Sequence, residues 1–273
     1  MKIKKSFWAL ALGGVITFAS CNKDESSSSE TQLKSTTSLN YFGISHNAKL
    51  DYVGNNTSDL ENSTTSERLE TADGYIDPVF GDLNGTTLSQ SNAGIVYTDD
   101  IYADLLNAGN TLSSDNYIDD NFSSYYNNLG QLFQDALDSV SAQVDYTPQY
   151  FSVQVDLIIS EIETNHDVTL DESNWSGSEA TKAIITLEIA KSSYSYWHDA
   201  ASTGTTNPWS SFVDVNAKVQ ANFWERAWLS IRRAATDTWS FPSCPVCGRG
   251  DQQGGYDLRA AWDYAGDQSA AVD

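Results

Sequence analysis

The sequence predicts an all-α fold: a single bundle of about five to seven helices behind a disordered N-terminal tether. Three observations predict it. Apolar residues recur at helical spacing through most of the chain after residue 95. Helix-start signatures open several of these stretches, at Thr147-Pro148, at Ser176 to Glu179 and at Asn207-Pro208. The alternating run Phe151 to Leu157 reads as a strand by itself, but it continues into Ile158, Ile159 and Ile162, which favours a helix. No internal repeat is present, which argues against a helical solenoid.

Taken in order, residues 1–20 form an export signal. Lys2, Lys4 and Lys5 precede an apolar run from Phe7 to Phe18, and small residues lead to Cys21. The run falls short of the roughly 20 residues a spanning helix needs. Ala19-Ser20-Cys21 is similar to a lipobox, so the expectation is cleavage before Cys21 and acylation (palmitate or a similar chain) of its thiol. An ordinary secretory signal is the alternative. Residues 21–38, with serines at 26–29, cannot bury a core and read as a flexible tether. The helical domain is expected over 39–273, with 54–94 as a loop-rich segment rich in Gly, Asn, Thr and Ser.

Within that domain, Asn40 to Val53 is the first helix, with Leu39, Phe42, Leu50 and Val53 on its apolar side. Ile95 to Ala108 is a second, stopped by Gly109. Asn116 to Val144 carries Phe122, Tyr125, Leu129, Phe133, Ala136 and Leu137 on one stripe. A helix from Pro148 follows, and then one opened by the capping box Ser176 to Glu179, with Ile184, Leu187, Tyr194 and Trp197 inside. The longest helix is expected from Asn207-Pro208 to Trp239, and a short one between Tyr256 and Ala265.

Two segments carry a resemblance. Cys21-Asn22-Lys23-Asp24-Glu25 resembles the acidic surface-export tag of Bacteroidota lipoproteins. Gly43 to Val53 and Ser192 to Trp197 resemble helices of an uncharacterised group of those lipoproteins. The resemblance implies an outer-membrane, cell-surface address with a lipid anchor and a helical fold. It implies no activity.

Charge narrows the function classes. The chain carries 15 Lys+Arg and 37 Asp+Glu, and the signal holds three Lys and no acid, which leaves 12 against 37, or −25. A chain this acidic repels nucleic acid. The expected partners are the membrane, through the lipid, and a protein or glycan.

The sharpest chemical motif is Cys244-Pro245-Val246-Cys247. It is compatible with a disulfide, half of a zinc knuckle or a redox pair, and an oxidising compartment favours the disulfide. The histidines His46, His166 and His198 are the candidate bases near neutral pH, but they complete no known catalytic set. A nucleophile elbow, a phosphate loop and a His-Glu-x-x-His helix are absent. No cofactor and no metal site are expected. Asp115 to Asn121 offers oxygen ligands without EF-hand spacing, so caps and turns are its expected roles. Trp197, Trp224 and Trp228 are candidates to stack on a ligand if exposed, and core residues if buried. The reading is therefore a surface-anchored binding module, with a secreted hydrolase of acidic or metal-assisted chemistry as the alternative.

Overall fold

Nine α-helices and one short ribbon make up the described part of the computed structural model, which covers residues 38–83, 105–202, 204–216, 223–245, 247–248 and 256–271. All of them belong to one folded unit, 35–273. The helices are α1 (Asn40–Asn56), α2 (Thr65–Ala72), α3 (Ala108–Ser114), α4 (Ser123–Ser141), α5 (Pro148–Asn165), α6 (Glu179–Ala201), α7 (Ser210–Asn216), α8 (Phe223–Ser240) and α9 (Leu258–Ala271). Strands β1 (Leu170–Asp171) and β2 (Ser176–Gly177) pair antiparallel between α5 and α6. The fold is all-α. The export signal, Cys21 and the Ser-rich tether lie outside the described residues.

The middle of the fold is α6. Its run from Ala180 to Ala190 is apolar or small on nearly every side, so it can be stable only when surrounded. It packs against α1, α5 and α8, and more lightly against α7. Ser178 caps its first turn, accepting from the Thr181 N–H. The neighbours are amphipathic. Helix α4 buries Tyr125, Tyr126, Leu129, Phe133, Ala136 and Leu137, and α5 buries Phe151, Val155, Ile158, Ile159 and Ile162. Thr147 caps α5 as expected, with Pro148 in its first turn.

The apolar residues form two clusters. The larger joins α1 and α3 to α8. The smaller gathers Phe42, Phe80, Ile185, Ile189, Phe241, Tyr256, Leu258 and Trp262 around Cys244 and Cys247. Those cysteines are disulfide-bonded, with Cα atoms 5.5 Å apart, so neither offers a thiolate to a metal. The bond staples the turn that follows α8, and the Asp257 N–H donates to the Cys247 carbonyl at 2.9 Å.

Several sequence expectations need correction. The loop-rich segment contains α2, closed by a capping box between Thr64 and Glu67. Residues 84–104, with most of the helix expected from Ile95, lie outside the described residues. Asn116 to Asp119 are not helical; a 3₁₀ turn, Asp120–Phe122, precedes α4. The cap of α6 is Ser178 rather than Ser176, which is engaged in the ribbon instead. The longest described helix is α6; the stretch from Asn207 to Trp239 shows α7 and α8, with 217–222 outside the described residues. The terminal helix is longer than expected.

Gly109 does not stop a helix. It lies inside α3, at the crossing with α4, where an added Cβ would sit 2.0 Å from the Ser123 carbonyl oxygen. Alanine favours a helix interior over glycine by up to about 1 kcal/mol. The backbone clash outweighs that gain, so Gly109→Ala is expected to destabilise the fold by about 1–3 kcal/mol in denaturant titration. A stabilised variant would show that α3 and α4 do not approach this closely.

Burial also sets an alkaline limit. It is the largest cause raising the phenol pKa of Tyr41, Tyr126, Tyr146, Tyr194, Tyr196, Tyr256 and Tyr264, with Tyr41, Tyr146 and Tyr264 pushed up to about 12. A raised folded-state pKa favours the fold in full below the unfolded value near pH 10, and the benefit is lost as pH climbs through the folded value. Tyrosinate absorbance and far-UV circular dichroism should therefore change together between about pH 10 and 12. Ionisation of the buried phenols with helicity intact would contradict this.

Candidate functional site

The three tryptophans proposed as a stacking surface have different fates. Trp197 is fully buried, and its indole N–H donates to Asp237 at 2.7 Å, so it cannot meet a ligand. Trp228 is half-buried against the larger core, with the Arg232 guanidinium 4.7 Å from its ring centre. Trp224 lines a narrow slot between the α4–α5 turn, the end of α6 and the start of α8.

Each wall of the slot has a local cause. After α4 the chain turns through Gln143, whose φ of 56° is left-handed, and brings Val144, Asp145 and Tyr146 to the surface before the Thr147 cap. From α6, Tyr194 donates to the Tyr146 carbonyl at 2.6 Å and stacks on Phe151 at 4.2 Å. One turn later His198 meets Asp145, Nε2 to Oδ1 3.1 Å. Phe223 and Trp224 touch edge to face with centroids 5.0 Å apart and close the side opposite. At the inner wall, Ser230 is buried and its Oγ has no hydrogen-bond partner. The enclosed space is about 10 Å³, room for roughly one water. Burial, followed by the charge of Asp135, pushes the Tyr146 phenol up to about 12.

Ser230, His198 and Asp145 are the residue types of a hydrolytic triad on one slot. They are not arranged as one. A triad needs the serine hydroxyl bonded to the imidazole, and the Ser230 hydroxyl is bonded to nothing. What the slot offers is an aromatic rim, one imidazole–carboxylate pair and an unsatisfied hydroxyl, which is recognition chemistry.

The other histidines are elsewhere. His166 caps the C-terminus of α5, within 3.1 Å of the Tyr125 hydroxyl and tilted against the Phe122 ring at 4.5 Å. His46 is fully buried in α1, its Nε2 3.0 Å from Ser269 Oγ, and Ser269 in turn donates to Asp237. Serine, histidine and aspartate thus meet a second time, with the serine in the middle and no route to solvent. Burial lowers the His46 pKa and keeps the ring neutral. Among the described residues no three His, Cys, Asp or Glu side chains converge to hold a metal. In the acidic segment, Asp119 caps the 3₁₀ turn and Asp120 accepts from Ser113.

Sequence reasoning missed Asp145, Tyr146, Phe223 and Ser230. The first two sit in a turn without periodicity. Ser230 did leave a signal: it occupies the buried face of α8 between Ala227 and Ala234, where a hydroxyl is out of place. No family model matches this chain, and no curated protein or solved structure is similar to it.

Proposed function

We propose that this chain is an outer-membrane lipoprotein, acylated at Cys21 and facing the medium, whose helical domain binds a protein partner through the slot and the apolar surface beside it. One observation carries the binding reading: apolar side chains that could be buried are left in solvent. Val144 is 58% exposed, Tyr150 53%, Val153 51% and Leu157 62%. Tyr150, Val153 and Leu157 share one face of α5, at helical spacing. Tyr150 meets the slot residue Tyr146 edge to face at 5.0 Å, which makes stripe and slot one surface. Contiguous apolar surface of this kind marks interaction sites. The tether expected at 21–38 would hold that surface clear of a membrane whose charge repels the acidic domain.

The hydrolase alternative rests on the His198–Asp145 pair. Turnover of nitrophenyl esters or phosphates that His198→Ala abolishes would replace the binding reading.

The test uses living cells. An alkynyl palmitate should label the wild-type chain and not Cys21→Ala. A photo-crosslinking amino acid at Leu157 should give one discrete protein adduct, and the same group at exposed Glu61 none. Equal labelling of both chains would remove the anchor. Matching smears from both positions would remove the interface.

A further inference from the structure

A second concavity lies one step around α6 from the slot. Tyr194 and His198 face the slot; Ser195 and Asp199, each one residue on and therefore ~100° around the helix, face a cleft shared with α1. Its volume is about 480 Å³, within the ~300–1,000 Å³ of small-molecule sites. Asp51 and Asn55 line its α1 side, and Tyr196 lies between the two walls. Gly54 allows the cleft to form: a Cβ there would sit 2.8 Å from the Pro208 ring, which belongs to the lining.

The cleft holds both donors and acceptors. Some of its donors are already used, while the Ser195 and Thr206 hydroxyls and the second amide hydrogens of Asn55 and Asn207 are not. The Tyr196 hydroxyl donates to Asp51 Oδ1 at 2.8 Å, the Asn55 amide to the Asp51 carbonyl at 2.8 Å, and the Asn207 amide to the Tyr196 carbonyl at 3.1 Å. Thr205 donates to Asp199 Oδ2 at 2.7 Å. Acceptor capacity remains beside them on Asp51 Oδ2, Asp199 Oδ1 and Asn55 Oδ1. These bonds also hold the side chains in place, so a ligand loses little to ordering them. A complementary ligand therefore both donates and accepts. An ammonium offers only donors, so it would leave the cleft's own donors unmatched. Neighbouring ring hydroxyls both donate and accept. The two carboxylates exclude acidic sugars by charge.

We propose that this cleft between α1 and the end of α6 binds neutral sugars, with hydroxyls donating to Asp51, Asn55 and Asp199 and one ring face lying against Tyr196. The site is separate from the slot and does not depend on it.

The experiment is saturation-transfer NMR on the full chain, in a detergent without a sugar headgroup, against neutral hexoses, N-acetylhexosamines and their short oligomers. At least one should bind saturably below roughly 10 mM. Asp51→Ala should weaken it about tenfold or more, as loss of a charge-assisted hydrogen bond does. Ser195→Trp, at an exposed position, should abolish it by filling the cleft, with circular dichroism checking that both variants fold. Trp224→Ala and Leu157→Glu should leave it unchanged. No saturable sugar, undiminished binding in Ser195→Trp, or binding of spermine in place of sugars would overturn the proposal.

Discussion

Four helices meet at the carboxylate of Asp237. It sits on α8 with no exposure to solvent. Ser193 and Trp197 donate to it from α6, and Ser269 donates from α9. Ser269 also meets His46, which brings in α1. Stranding a buried charge costs several kcal/mol, so these donors are obligatory. Apolar packing alone tolerates small slides of one helix on another. A carboxylate that must find three donors at fixed distances does not. The relative register of α1, α6, α8 and α9 is therefore set at this point, and both clefts inherit it through the end of α6.

Other charged groups in the interior do similar work. Lys49 on α1 reaches Asp263 and Asp267 on α9, each at 2.7 Å. Burial works against the Lys49 charge, but the two carboxylates outweigh it and hold its pKa up. Asp77 gathers Tyr41 and Ser45 from α1 together with the N–H groups of Val79 and Phe80, tying the 75–81 turn to the first helix. Arg68 donates to Ala270 and Ser63 carbonyls and joins α2 to the end of α9. In the fold these residues are ties between helices.

The stripes Phe122 to Leu137 and Ile184 to Trp197 predicted helices because burial imposes a 3.6-residue period, and those residues are buried. The same logic made the tryptophans core first and ligand platforms second, and Trp197 is core. Helix α2 was hidden because it buries only Arg68 and Ala72, so its apolar period is almost absent; its Thr64–Glu67 box was the readable signal. Gly109 misled because glycine serves both as a helix stop and as a place for another backbone to come close, and only the partner's position distinguishes them. The slot was illegible for a related reason. It is assembled from a turn, one end of α6 and one end of α8, and no local pattern records that those three meet.

The placement of both clefts follows from a gradient within α6. Its first half, through Ala190, is apolar and enclosed. Its second half, from Ser192, alternates hydroxyls, aromatics and charges on a helix that is still held centrally. Each residue there faces a different surrounding as the helix turns. Trp197 points to Asp237 and locks the bundle. Tyr194 and His198 face the apolar slot, and Tyr196 and Asp199 face the polar cleft. A helix that is core at one end and polar at the other must emerge somewhere, and neighbours that packed its first half cannot seal its second. The slot and the polar cleft lie where that sealing fails. One central helix carries both, so the groups on its two sides keep a fixed spacing.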